Sequence, residues 1–258
     1  MLDRTSAPIF VTLCLTGGLL AGCQSGAIES DAEPQDVAAV GEAASACHDD
    51  DSGLPPTKEL AKSWTRWALS QPWTTGPITD LTGEACADGQ NGHDWFLAGS
   101  PGGPVTRSCT IPRHKELFFP LVNQWCTFPP EWYPDQASID ADLPFIKEMY
   151  ADNLAHTCSL TVKVDGQDAY EGGLVEMVDD LWIEIDKPFQ ANLNADNFIT
   201  AAGYDIAGGN MPVSTSGHFA RLKALPPGDH VVELGGSLCD GPELWFETSA
   251  TYYLHVEH

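Results

Sequence analysis

Two carboxylates, Glu184 and Asp186, stand beside Trp182 in the alternating stretch Leu181-Trp182-Ile183-Glu184-Ile185-Asp186. In an extended strand residues i and i+2 share a face, which would hold the pair roughly 7 Å apart. Glycoside hydrolases place an acid and a nucleophile or base at about 5–9.5 Å, so the spacing allows that chemistry. A catalytic pair has to flank the scissile bond across a cleft, however, and neighbours on one strand more simply form the wet face of an antiparallel sheet. The stretch is therefore read as a half-buried strand with Leu181, Ile183 and Ile185 inward. Glu184 and Asp186 remain the catalytic candidates of an alternative reading.

Residues 123–133 are the most aromatic part of the chain, with Trp125, Phe128, Trp132 and Tyr133 around Pro129-Pro130. On an exposed loop, near Glu131 and Asp135, the rings of Trp125, Trp132 and Tyr133 would stack a sugar or another ligand; folded back, they would be core. Trp182 joins them as a ligand-binding candidate. The run 88–94 has the composition of a calcium loop but the wrong register: with Gly92 at position six, positions one and three fall on Ala87 and Gly89, which offer no side-chain ligand. No metal site is assigned, and calcium stays open only as a ligand of the acidic surface. No G-x-S-x-G elbow, H-E-x-x-H pair or phosphate-binding loop occurs.

The elements that must carry these residues are mostly strands. Leu60, Trp64, Trp67 and Ala68 recur at helical spacing and predict a helix over 57–70, capped by Thr57 and stopped by Pro72, with both Trp rings as core contacts. A second helix is expected over 138–154, with Asp142 as cap, Pro144 in the first turn, and Phe145, Ile146, Met149 and Tyr150 inward. Alternation predicts strands at 95–99, 105–111, 116–122, 158–164, 181–186, 218–225 and 244–256, with Asp165-Gly166 as a hairpin turn and 189–216 as long loops with short strands. The turn Leu225-Pro226-Pro227-Gly228-Asp229-His230 resembles the one between the fifth and sixth strands of immunoglobulin-like sandwiches. That resemblance implies a corner residue, here His230, bonding back to the backbone. The expected fold of residues 54–258 is mainly β: an antiparallel β-sandwich, immunoglobulin-like or jelly-roll-like, with two short helices.

The chain has 258 residues, 37 acidic against 12 basic, for a net charge of −25. Such a surface repels nucleic acid and anionic headgroups, so no nucleic-acid partner is expected. At the start, an apolar run of about 12 residues is too short for a transmembrane helix, which needs about 20. It ends in Leu20-Ala21-Gly22-Cys23, which resembles the lipobox of bacterial lipoproteins: a large aliphatic residue, two small ones and a cysteine. The resemblance implies a signal peptide over 1–22, acylation of Cys23 with diacylglyceryl and palmitate-type chains, and attachment to a membrane by lipid, at the outer membrane or cell surface. Residues 23–53 then form an acidic tether without Lys, Arg or aromatic residues, expected to be disordered and to span about 30 Å. The segments WFLAG, RSCTIP and KELFFPLVN, with the later L-x-P-P-G-x-H, resemble a set of uncharacterised exported bacterial proteins, which names no activity.

Cysteine usage agrees with export. With Cys14 in the signal and Cys23 lipidated, Cys47, Cys86, Cys109, Cys126, Cys158 and Cys239 remain, an even number that reads as disulfides. The pairing adopted is Cys86–Cys109, Cys126–Cys158 and Cys47–Cys239. No C-x-x-C spacing argues for zinc. The functional expectation is a lipid-anchored, non-catalytic module that binds an extracytoplasmic glycan or protein ligand. The alternatives are a carbohydrate-active hydrolase using a carboxylate pair and a calcium-dependent structural adhesin.

Overall fold

Alternating apolar residues along long strands build two sheets. They are seen here in a computed structural model that describes residues 53–258 and the backbone of Cys14–Leu15. The first sheet runs β1 (Cys14–Leu15), β5 (Glu116–Thr127), β9 (Gly209–Leu222), β2 (Gly53–Leu54), with β3 (Asp94–Phe96) paired to β5 and β8 (Trp182–Leu193) paired to β9. The second runs β4 (Gly103–Ile111), β11 (Glu243–Val256), β10 (Gly228–Asp240), β6 (Thr157–Val164), β7 (Gln167–Asp168). Pairing is not antiparallel throughout: β3 runs parallel to β5 and β4 parallel to β11, so both sheets are mixed. Four helices, not two, accompany them: α1 (Lys58–Ser70), α2 (Gln136–Ala155), α3 (Leu174–Asp180) and α4 (Phe198–Ala201).

Three apolar clusters follow from this layering. Leu117, Phe119 and Leu121 of β5 meet Val232 and Leu234 of β10 and Tyr252 and Leu254 of β11. Phe118 of β5 and Val213 and Phe219 of β9 cluster instead with Ala61, Trp64 and Ala68 of α1. The third cluster lies under α2, where Ile139, Ile146 and Tyr150 cover Cys126 and Phe128. Thr57 caps α1 as expected, its hydroxyl accepting from the Leu60 amide at 3.2 Å. α2 begins earlier than expected. Asp135 is its cap, accepting from the Ser138 amide at 2.9 Å, while Asp142 lies further in and accepts from the Tyr133 hydroxyl. Pro144 consequently sits inside the helix, and Phe145 is exposed because the buried face is carried by Ile139, Ile146 and Tyr150. Residues 189–216 are mostly regular too, since β8 continues to Leu193 and β9 starts at Gly209.

The turn after β6 places Asp165 and Gly166 at φ 52° and 80°, the left-handed pair a two-residue hairpin requires. His230 does bond back: Nε2 lies 2.9 Å from the Pro226 carbonyl oxygen and Nδ1 2.8 Å from Asp165.

Cys86–Cys109 forms as expected, but Cys158 pairs with Cys239, which replaces both other expected bridges. The reason is register. β6 and β10 are neighbours with Leu238 opposite Thr157, so Cys158 and Cys239 have Cα atoms 5.8 Å apart, whereas Cys126 belongs to the other sheet. Cys126 is itself disulfide-bonded. The other four described cysteines pair among themselves, so its partner is outside residues 53–258. The lipobox, the tether, Cys23 and Cys47 also lie outside the described residues.

One buried charge ties loops to the second sheet. Arg107 of β4 is 1% exposed. Its Nε donates to the Asp80 carbonyl at 2.7 Å and its Nη2 to the Ile78 carbonyl at 3.1 Å. Nη1 reaches the carbonyls of Ala98 (2.7 Å) and Gly99 (3.0 Å) and the Tyr252 hydroxyl (2.7 Å). The planar fork thus closes two loops, 78–80 and 98–99, onto β4 and β11. Arg107→Lys keeps the charge, but a single ammonium cannot serve carbonyls on both loops. It is expected to lower the unfolding free energy by about 3–5 kcal/mol, because buried acceptors lose charged donors. Urea unfolding of the variant should show the midpoint falling with little change in slope; a loss below about 1 kcal/mol would contradict this role.

Candidate functional site

Between Pro120 and Val122 the register of β5 against β9 slips. A bulge of this kind bends a strand and re-aims its side chains. Opposite it, Gly217 has φ +148°, and a Cβ there would come within 2.4 Å of the Val122 carbonyl oxygen, so only glycine lets the two strands approach. Beyond the bulge, Asn123 and Trp125 join Pro120 and Leu121 in lining a small cleft of about 50 Å³. Its other walls are Trp64 of α1, Trp73 and Ile78 of the following loop, residues 99–101, and Phe246 and Thr248 of β11. No charged side chain lines it among the described residues.

The hydrogen-bond inventory of the cleft is incomplete in one place. The Trp64 indole donates to the Leu97 carbonyl at 2.9 Å, and the Thr248 hydroxyl to the Ser100 carbonyl at 3.0 Å. Trp125 Nε1 and Asn123 Nδ2 are buried with no partner. Each such group costs about 1–3 kcal/mol when left unpaired. Six of the ten buried side-chain atoms without a hydrogen bond among the described residues belong to this neighbourhood: Asn123 Nδ2, Gln124 Oε1, Trp125 Nε1, Thr127 Oγ1 and both ring nitrogens of His218. Asn123 also lines a smaller chamber of about 10 Å³, together with Gln124, Ser216, His218 and Trp182. There His218 is fully buried, its ring centroid 5.0 Å from that of Trp182. Burial pushes its pKa down to about 4, opposed by the backbone of Val178, although neither ring nitrogen makes a well-formed hydrogen bond.

The sequence candidates are dispersed. Trp125 lines the cleft and Trp182 the chamber. Trp132 is half-buried edge-on to Tyr204 at 5.5 Å, and Tyr133 is buried, so of the two arrangements open for residues 123–133 the folded-back one is found, as strand β5 followed by an inward-folded turn. Glu184 and Asp186 line none of the cavities described here. Asp186 accepts from Lys147 of α2 at 2.7 Å, and that hydrogen bond holds its carboxyl below the usual range, the reverse of what a general acid needs. His93, Asp94 and Glu116 bring ligand atoms within 4.8 Å of one another. Arg221 already supplies positive charge there, with Nη2 2.5 Å from Glu116 and 4.0 Å from Asp94. His93 and Asp94 edge a wider polar hollow with Arg66 and Trp67.

The chain matches no protein-family model, no curated protein and no solved structure. The site therefore rests on its own geometry. Sequence reasoning missed Asn123 and His218 altogether. Asn123-Gln124 reads as the end of a strand, and the only signal of its continuation is the apolar and aromatic run on either side.

His218 predicts an acid limb in stability. Its folded pKa lies below the ordinary value of 6.5, so the unfolded chain binds more protons between the two. Stability from this group is complete above about pH 6.5 and is lost as pH falls toward about 4, by about 3 kcal/mol in all. His218→Gln removes the titration. The wild-type advantage in unfolding free energy should shrink by about that amount between pH 7 and pH 4. Parallel pH profiles would show His218 to be irrelevant.

Proposed function

We propose that this chain is a lipid-anchored, exported binding protein that holds a small apolar ligand in the cleft of Trp64, Trp73 and Trp125, without catalysing a reaction on it. The observation that carries the reading is a cleft walled by Trp64, Trp73 and Trp125 with no charged side chain among the described residues that line it. Ligand sites are commonly concave and mostly apolar with a few polar groups set to fix orientation. The hydrolase alternative has lost support, because its carboxylate pair stands outside the cavities and Asp186 is occupied by Lys147. The calcium reading has one favourable cluster, His93, Asp94 and Glu116, whose charge Arg221 already offsets.

Export is supported by the two disulfides, which persist in oxidising compartments, together with the lipobox. On this reading Cys14 departs with the leader, β1 leaves the edge of β5, and Cys47 is the remaining mature cysteine for Cys126. Peptide mapping of the non-reduced mature protein should recover a Cys47–Cys126 link and an acylated Cys23. A peptide joining Cys14 to Cys126 would mean the leader is retained and the lipoprotein reading is wrong.

Protein purified from its own membrane is expected to release an apolar molecule on organic extraction, detected by mass spectrometry. Trp73→Ala, which removes a half-buried wall of the cleft, should reduce the recovered amount about tenfold, the equivalent of about 1.4 kcal/mol of binding. Equal recovery from both proteins would place the ligand elsewhere.

A further inference from the structure

The loop between α1 and β3 carries a chemistry in which the cleft has no part. Of the seven asparagines in the chain, Asn91 alone is followed by glycine. Asn91 and Gly92 are both exposed and precede β3, which begins at Asp94. Attack of a main-chain nitrogen on the asparagine side chain before it needs a free amide and room around the next residue. Gly92 meets both conditions: its amide donates to no group among the described residues, and a Cβ built on it would meet nothing within 4 Å. Glycine also leaves the backbone free to rotate into a ring geometry. The Asn91 side chain is loosely held, its Nδ2 donating to the Gly89 carbonyl at 3.3 Å. The other six asparagines lack this setting. Asn123, Asn192 and Asn210 belong to strands and Asn153 to α2, where the main chain is committed to a ladder or a helix. Asn194 and Asn197 have both the oxygen and the nitrogen of the side chain engaged.

We infer that Asn91 is a self-modifying site, which deamidates in the folded protein through a cyclic imide with water as the only co-reactant. The Gly92 nitrogen loses its proton and attacks Cγ of Asn91. The new N–Cγ bond closes a five-membered succinimide. The bond from Cγ to Nδ2 breaks, and the leaving nitrogen takes up the proton and departs as ammonia. Water then opens the ring. Cleavage of the N–Cγ bond leaves an aspartate. Cleavage of the bond to the main-chain carbonyl leaves an isoaspartate, whose main chain runs through Cβ and Cγ and is one atom longer. Either product adds one negative charge to a chain that carries −25. The new carboxylate stands on the polar hollow of about 400 Å³ that Asn91 lines with Arg66, His93 and Asp94. Loss of ammonia is irreversible in dilute solution, so the converted fraction grows with the age of the molecule. The hollow and the aromatic cleft share no lining residue, and the modification does not depend on what the cleft binds.

The test is a time course on the purified mature protein in mildly alkaline buffer, followed by peptide mapping with mass spectrometry. A second sample of the same protein is kept unfolded in urea. The peptide containing Asn91 is expected to gain the mass difference between an amide and an acid and to separate into aspartate and isoaspartate forms. Its conversion in the folded protein should be at least about tenfold faster than at any other asparagine, and within about tenfold of its own rate in the unfolded chain. Gly92→Ala, which adds a Cβ beside the attacking nitrogen, should slow it by about tenfold. Protection of Asn91 by more than about tenfold on folding would mean that the loop blocks the reaction and would overturn the inference. Conversion to aspartate with no isoaspartate would rule out the cyclic imide and overturn it equally. Should Gly92→Ala fail to fold, the folded-against-unfolded comparison on the wild-type protein decides by itself.

Discussion

The guanidinium of Arg107 is the constraint on which the rest of this structure depends. A fully buried cation without a carboxylate partner has to be surrounded by oriented dipoles, and here four backbone carbonyls and one phenol supply them. Those carbonyls belong to loops that would otherwise have little reason to take one conformation. Ile78 and Gly99, two of the residues so held, are also walls of the aromatic cleft. The site is thus shaped from behind by a charge that never reaches it. Asp80 reinforces the same loop: burial works against its ionised form, but hydrogen bonds from the backbone of Thr82, Ala85 and Gly83 prevail and hold the carboxyl below its usual range.

The strand opposite shows the contrary arrangement. Where Arg107 has every side-chain nitrogen engaged, Asn123, Gln124, Trp125 and Thr127 of β5 and His218 of β9 carry buried polar atoms with no partner in the protein. Native proteins keep such groups few, and here four of the five positions 123–127 and one neighbour carry them. Past the bulge at Leu121 and the close approach permitted by Gly217, Asn123 and Trp125 stand in the wall of the cleft, and Gln124 and His218 in that of the smaller chamber. The satisfied buried charge and the unpaired buried atoms therefore lie on different elements: β4 and β11 hold the first, the far half of β5 and its neighbour β9 the second.

How much of this was legible in the sequence depended on the range of the interaction concerned. Thr57 and the stripe of Trp64, Trp67 and Ala68 are local signals and correctly placed α1. Leu181, Ile183 and Ile185 are buried as their alternation implied. Asp142 was misplaced as a cap because Asp135, seven residues earlier, offers the same chemistry with Ser138 to complete it. The parallel pairings of β3 with β5 and β4 with β11 leave no local trace, since direction is set by how the intervening chain crosses over. The pairing of Cys158 with Cys239 was equally invisible, being a consequence of the β6–β10 register. Arg107 alternates onto the face of Val105, Cys109 and Ile111, but nothing local says what its guanidinium meets there. Its burial depends on Tyr252, 145 residues away.

That separation has a consequence for the order of assembly. β4 and β11 lie side by side in the sheet although most of the domain is strung between them, and loop closure over such lengths makes pairing slow to form. Until β11 arrives, the guanidinium has no phenol beside it and the loops at 78–80 and 98–99 lack one of their anchors. The aromatic cleft, two of whose walls are Phe246 and Thr248 of β11, is consequently complete only once that strand is in place. A chain passing through a membrane as an unfolded thread would therefore close this cleft only once β11 was across.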